Sequence, residues 1–114
     1  VASFSNFGSV NVDVFAPGSN IWSSVPQEKY EFYSGTSMAA PNTSGVAAAI
    51  RSFFPKLKAY QVKSILMNSG VPLYPTLKNP KTGELVNPKS LSVSGKAVNL
   101  YNALIYCSNK SYKK

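Results

Sequence analysis

The sequence contains no histidine, one cysteine and only four acidic residues among its 114 positions. Without histidine, this chain alone cannot form a complete serine-histidine-aspartate or cysteine-histidine catalytic site, nor a histidine-ligated metal site. Cys107 has no second cysteine to pair with, so internal disulfide bonds are excluded and cysteine usage leaves the compartment open. No apolar run approaches the roughly 20 residues that cross a bilayer, so we expect no membrane span in this chain.

The beginning of the sequence also lacks the features of a natural chain start. Val1 to Ser5 include neither an initiator methionine nor the positive region of a signal peptide, which predicts a piece of something longer. The length and a 44% hydrophobic content are sufficient for a real core. We expect one domain or part of one over residues 1–107, followed by a polar, Lys-rich tail over 108–114 that frays.

The charge balance is strongly basic, with twelve Lys and Arg residues and a formal net charge of +8. An anionic partner is therefore worth considering, because phosphate neutralisation can dominate binding. Eleven of the twelve cations are lysines, however, and they are spread from Lys29 to Lys114. Nucleic-acid modules usually cluster Arg with Lys among aromatic residues. We favour a solvated basic surface, and keep a basic nucleic-acid-binding domain only as a distant alternative.

Hydrophobic periodicity predicts strands in the first third of the chain and a long helix after them. Valines alternate with polar residues over 10–15, which predicts a strand that ends at the turn residues 16–18. Two further extended segments are expected at 21–25 and 30–33. From Met38 to Phe54 the chain is apolar almost all round, which predicts a buried helix. Its first turn should lie near Ser37, because a proline is not tolerated deep in a helix.

The second half of the sequence predicts two more helices and an exposed hairpin. A helix is expected over 59–68, where Leu57 and Val62 stand at the positions of a hydrophobic staple. Prolines and the turn Lys81-Thr82-Gly83 predict a hairpin within 75–89, and a last helix is expected over 99–107. Strands followed by helices with short connections indicate a layered α/β fold.

The residue types of one segment suit catalysis better than packing. This segment is Gly35-Thr36-Ser37-Met38-Ala39-Ala40-Pro41, and it places a hydroxyl where an extended stretch turns into the long helix. At that end of a helix the dipole and unpaired backbone N–H groups favour negative charge on a substrate oxygen. The competing explanation is that Thr36 or Ser37 only caps the helix, a role that serine and threonine often fill.

This motif resembles that of the subtilisin-like serine peptidases, the subtilases, in seven consecutive positions. In that family the nucleophile lies in such a stretch and opens a long buried helix. The resemblance extends upstream to residues 2–8 and 12–18, and downstream to 61–66 and, more loosely, 98–104. It implies the C-terminal portion of a subtilisin-like three-layer α/β fold, with a mostly parallel sheet and a buried central helix starting near Ser37.

The resemblance also implies roles for particular residues. Ser37 would be the nucleophile that attacks a peptide carbonyl, and its own backbone N–H one donor to the oxyanion. The cleft for substrate residues would be lined by Tyr33, Ser34, Gly35 and Thr36. The family's catalytic Asp, catalytic His and oxyanion Asn all precede the nucleophile by long stretches, so they are expected upstream of this chain. The chain alone would then be an incomplete, inactive part of a serine endopeptidase.

The remaining expectations follow from the same resemblance. The partners would be a peptide or protein substrate and the N-terminal part of the same peptidase domain, with neither nucleic acid nor a cofactor or metal involved. Family habit suggests secretion or a cell-envelope location. A non-catalytic subtilase-like binding module is the main alternative, because it would keep the same scaffold. Asp13 could contribute to a weak surface cation site, although we favour a role in the turn at 16–18.

Overall fold

The computed structural model describes residues 1–112, so Lys113 and Lys114 of the predicted tail lie outside the described residues. The helices are α1 (Thr36–Phe53), α2 (Ala59–Ser69) and α3 (Leu100–Asn109), with a short 3-10 turn at Pro88–Ser90. The strands are β1 (Ile21–Val25), β2 (Lys29–Tyr33), β3 (Val71–Pro72), β4 (Leu77–Lys78), β5 (Leu85–Val86) and β6 (Lys96–Ala97). The α/β class is confirmed.

The two predicted extended segments are the strands β1 and β2, and the structure pairs them as an antiparallel hairpin. The register runs from Ile21 opposite Tyr33 to Val25 opposite Lys29. One face is aromatic, because the Trp22 ring lies 4.7 Å from the Phe32 ring and 6.0 Å from the Tyr30 ring between centroids. These three side chains are more than half exposed. Cross-strand contacts between large rings stabilise such a pair even where no second layer covers it.

The predicted strand over residues 10–15 is wrong as a regular element. The segment is extended, but only Phe15 forms a bridge, to Ala97, and this is the one parallel pairing among residues 1–112. Its other backbone bonds are irregular: the Val12 carbonyl accepts from the Val93 N–H at 2.7 Å. The expected mostly parallel sheet is represented in the described residues by this bridge alone, since the ladders are antiparallel. Alternating valines encode an extended backbone but not a partner strand.

The core lies where the three helices meet. Ile50 at the end of α1, Ile65 in α2, and Ala103 and Cys107 in α3 are fully buried against one another. Phe54, Leu57 and Val62 complete the cluster between α1 and α2. Burial raises the pKa of the Cys107 thiol, as expected for a small apolar group in a core.

The expectation that α1 is buried on all sides is wrong for the described residues. Ile50 is its only fully buried residue, and Ala40, Ser44 and Ala48 are exposed. The reason is that α2 and α3 pack along one side of α1, whereas the strands of residues 1–112 form no layer across the other side. A face of small residues on α1 is thus left uncovered among the described residues.

The local predictions for the second half are confirmed. Lys58 caps α2, its N–H donates to Gln61 Oε1 at 2.8 Å, and Leu57 and Val62 are both buried as the staple requires. The strands β4 and β5 form the expected hairpin. Helix α3 begins after Asn99, whose side chain accepts from the Asn102 N–H, and continues to Asn109.

Candidate active site

The segment Gly35 to Ser37 lies at the junction between β2 and α1. Strand β2 ends at Tyr33, Gly35 is the N-cap of α1, and Ser37 is the second residue of the helix. The Gly35 carbonyl accepts from the N–H groups of Met38 at 3.1 Å and Ala39 at 3.3 Å. The helix therefore begins where the sequence predicted, and Pro41 lies in its second turn, where it cannot donate the usual intrahelical hydrogen bond to the Ser37 carbonyl.

Neither Thr36 nor Ser37 is the helix cap, so the competing explanation of these hydroxyls is wrong. The cap is Gly35, and no side chain caps the helix. Ser37 is exposed, and among residues 1–112 its hydroxyl has no hydrogen-bond partner. The N–H groups of Thr36 and Ser37 belong to the first turn, where a helix has no internal acceptors. A free hydroxyl thus stands beside free amides at the positive end of an 18-residue helix.

Two contacts from the segment before β1 hold this helix start in place. The Gly35 N–H donates to the Gly18 carbonyl at 2.7 Å. One turn into the helix, Asn42 Nδ2 donates to the Pro17 carbonyl at 3.1 Å. Sequence reasoning missed the second contact, because an asparagine that bonds a distant carbonyl leaves no local pattern.

The predicted cleft residues Tyr33 and Ser34 lie directly before the helix start. Each forms a side-chain hydrogen bond to a residue of the hairpin or of the turn before it. Ser34 Oγ accepts from the Asn20 N–H at 2.8 Å. The Tyr33 hydroxyl donates to Glu31 Oε2 at 2.8 Å, and this hydrogen bond, together with the negative charge of Glu31, raises the pKa of Tyr33. Both residues are exposed, so their surfaces are open to a ligand.

A mostly apolar cavity of about 450 Å³ opens beside the same helix start. Gly35, Thr36 and Ala39 form one wall, and the turn at 16–18 forms another. The remaining apolar lining comes from distant parts of the chain: Val1, Ala2, Phe4, Phe15, Leu73, Leu77 and Ala97. A space of this size and lining is suited to apolar side chains rather than to water.

Asp13 does not take the role in the turn at 16–18 that the sequence favoured. Its carboxylate forms an ion pair with Lys63 Nζ of α2 at 3.1 Å, and no hydrogen bond joins it to the turn at 16–18 within the described chain. Over residues 1–112 no three acidic, cysteine or histidine side chains gather as a metal site would require. No helix in the same part of the chain is long and apolar enough to cross a membrane.

The sequence profile of the subtilase family of S8 peptidases matches residues 1–97. The Subtilisin-like protease 2 of Plasmodium falciparum is 37% identical over 93 residues, which cover 76% of this chain and 7% of that protein. Subtilisin DY of Bacillus licheniformis is 42% identical over 72 residues, which cover 63% of this chain and 26% of that protein.

A solved protease from Pseudoalteromonas arctica matches the fold with a TM-score of 0.67 and 27% identity. The match covers 92% of this chain and 32% of that structure. The chain therefore spans a third or less of each of these relatives.

Proposed function

This chain belongs to the subtilase family of serine proteases, and from that premise we propose that Ser37 is the nucleophile of a serine endopeptidase. The observation that carries the proposal is the free, exposed Ser37 hydroxyl in the first turn of α1. A serine with a structural role would be expected to bond a neighbouring backbone group, as Ser69 Oγ does by donating to the Ile65 carbonyl at 2.6 Å.

The reaction would proceed through a covalent acyl-enzyme. Ser37 Oγ attacks the peptide carbonyl carbon, and its proton passes to a general base. The carbonyl oxygen becomes negative in the tetrahedral intermediate, where the Ser37 backbone N–H donates to it. The base then protonates the leaving amine as the C–N bond breaks, and water hydrolyses the resulting ester. This chain has no histidine, so the base, the aspartate that orients it and the second oxyanion donor are expected in the N-terminal part of the domain.

The residues that precede Ser37 would bind the peptide on either side of the scissile bond. The backbone runs from Tyr33 at the end of β2 to the cap Gly35 and enters α1 at Thr36, with Gly35 offering no side chain to obstruct a substrate carbonyl. Hydrogen bonds to Gly18 and Asn20 hold this segment in place. A bound substrate would therefore be oriented relative to Ser37 without the entropic cost of ordering the segment first.

The N-terminal part of the same domain is the proposed partner of the uncovered surfaces. The cavity beside Thr36 is mostly apolar, and the exposed side of α1, which carries small residues such as Ala40 and Ala48, begins at the same end of the helix. Large exposed apolar surfaces on an isolated domain mark interaction sites. A secreted or cell-envelope location is proposed from the family alone.

The test is peptide hydrolysis by the full-length protein. Ser37→Ala should lower kcat/KM by at least about a thousandfold, because the covalent step is lost. Ser52→Ala, an exposed serine near the other end of α1, is the matched control and should leave kcat/KM unchanged. Equal activity of Ser37→Ala and the parent would overturn the proposal. A full-length protein without peptidase activity, but with specific protein binding, would instead support the non-catalytic module.

A further inference from the structure

The charges of this chain are unevenly distributed. From Lys56 to the end there are ten lysines and a single acidic residue, Glu84. The other three acidic residues lie before α1, and among the described residues Asp13 is the one that pairs with α2, through Lys63. The sequence from Lys56 onward therefore has a large excess of positive charge.

The fold gathers several of these cations at one end of the helical core. Phe53 and Phe54 at the end of α1 line one groove with Leu104 and Ser108 of α3, and the Leu57 N–H, just before α2, donates to the Phe54 carbonyl at 3.2 Å, so these three helix ends are neighbours. Each carries exposed cations: Arg51 in the last turn of α1, Lys56 and Lys58 before α2, and Lys110 at the end of α3. We call these four residues the basic pole. The sequence continues from it into Lys113 and Lys114.

An exposed apolar site adjoins the basic pole. Phe53 in the last turn of α1 is 57% exposed, and with Phe54, Leu104 and Ser108 it lines a shallow groove of about 180 Å³. Ile105, the next residue along α3, is 45% exposed. Cations beside exposed aromatic and aliphatic side chains are typical of surfaces that bind anionic bilayers, where the apolar groups reach the boundary of the acyl chains.

The basic pole lies at the opposite end of α1 from Ser37. Sixteen residues separate Ser37 from Phe53 along one helix, which corresponds to roughly 24 Å at 1.5 Å per residue. We propose that the basic pole and Phe53 attach this protein to an anionic phospholipid surface, with the end of α1 that carries Ser37 directed away from the bilayer. The proposal concerns a different surface from the candidate active site and does not depend on catalysis.

The composition of the pole favours lipid over nucleic acid. Three of its four cations are lysines, whose ammonium groups act as point charges. Lysine lacks the planar guanidinium group with which arginine forms bidentate hydrogen bonds to phosphates and bases. The groove beside the pole contains the aliphatic Leu104, which has no role against a charged sugar-phosphate backbone but gains from contact with the apolar boundary of a bilayer.

The test is sedimentation of the full-length protein with phosphatidylcholine vesicles that do or do not contain phosphatidylserine. We expect binding only to the phosphatidylserine vesicles. The triple variant K56Q/K58Q/K110Q should bind them on the order of 100-fold more weakly, at about fivefold per lysine near the surface. The matched triple variant K29Q/K78Q/K81Q removes the same charge at exposed positions away from the pole, and should lose less than about fivefold because of screening.

A second variant tests the apolar contribution. Phe53→Ser leaves the charge intact and should weaken binding by on the order of tenfold, because less apolar surface is buried. Equal losses in both triple variants, or no dependence on phosphatidylserine, would overturn the proposal. Binding to duplex DNA or RNA that depends on the pole, without vesicle binding, would assign the surface to nucleic acid instead.

Discussion

Gly35, the cap of the helix that carries Ser37, donates its backbone N–H to the carbonyl of Gly18 at 2.7 Å. This approach is possible only because Gly18 has no side chain. A Cβ atom at Gly18 would lie 2.8 Å from the Gly35 oxygen and 3.0 Å from the Ala39 Cβ. The turn before β1 thereby fixes the position of the helix start.

Gly18→Ala should therefore destabilise the protein by about 1–3 kcal/mol, the usual cost of forcing an added carbon into a packed site. The obstructing atom at Gly18 is backbone oxygen, which cannot move without shifting the helix start. The measurement is the free energy of unfolding in urea, with the slope of the transition used to confirm the same unfolding reaction.

Gly45→Ala provides the matched control on α1. Among the described residues, a Cβ atom at Gly45 meets nothing within 4 Å, and Gly45 lies within the helix. Alanine should stabilise the helix by roughly 0.5–1 kcal/mol because it loses less backbone entropy than glycine. The changes in the free energy of unfolding should therefore have opposite signs in Gly18→Ala and Gly45→Ala. Equal changes would show that the contact between Gly18 and Gly35 is unimportant.

The stability contributed by the hydrogen bond between Tyr33 and Glu31 should depend on pH. Its hydrogen bond to Glu31, followed by the repulsion of a phenolate by that carboxylate, raises the pKa of Tyr33 above its ordinary value. The hydrogen bond therefore contributes its full stabilisation of the folded state below the ordinary tyrosine pKa. This stabilisation is lost as the pH rises through the higher pKa of Tyr33 in the folded state. Glu31→Gln should lower the pKa of Tyr33, measured by NMR titration of the ring.

The matched variant for this titration is Glu84→Gln, which removes the same charge on a different hairpin. It should leave the pKa of Tyr33 where it is in the parent protein. A Tyr33 titration that is the same in Glu31→Gln and in the parent would contradict the hydrogen bond between Tyr33 and Glu31.

The ion pair between Asp13 and Lys63 should contribute little to stability. Their side chains are 37% and 62% exposed, so solvent screens the attraction. A double-mutant cycle with Asp13→Asn and Lys63→Gln should give a coupling of less than about 1 kcal/mol. Calcium-dependent unfolding that disappears in Asp13→Asn would show that the carboxylate binds a cation rather than Lys63.

The helices were predictable from sequence because their signals are local. The staple at Leu57 and Val62 and the cap at Asn99 act within one turn of the chain. Pro41 limited where α1 could begin, and the structure begins it at Thr36. The hairpin of β4 and β5 was likewise indicated by its own turn residues.

Pairing and burial were less predictable because they depend on distant residues. The alternation over residues 10–15 did not reveal that Phe15 would bridge Ala97, far along the chain. The apolar composition of α1 predicted a helix buried on all sides, but among the described residues α2 and α3 are the helices that pack against it, and its opposite side is exposed. The contacts of Gly18 and Asn42 at the candidate site are non-local for the same reason.

The most direct measurement of the central claim is the site of covalent labelling by a fluorophosphonate. The reagent reacts with an activated serine and leaves an adduct that peptide mapping assigns to one residue. In the full-length protein, the adduct should lie on Ser37, and it should be absent from the Ser37→Ala variant. An adduct on another residue, or an active peptidase that is not labelled at Ser37, would contradict the assignment of Ser37 as the nucleophile.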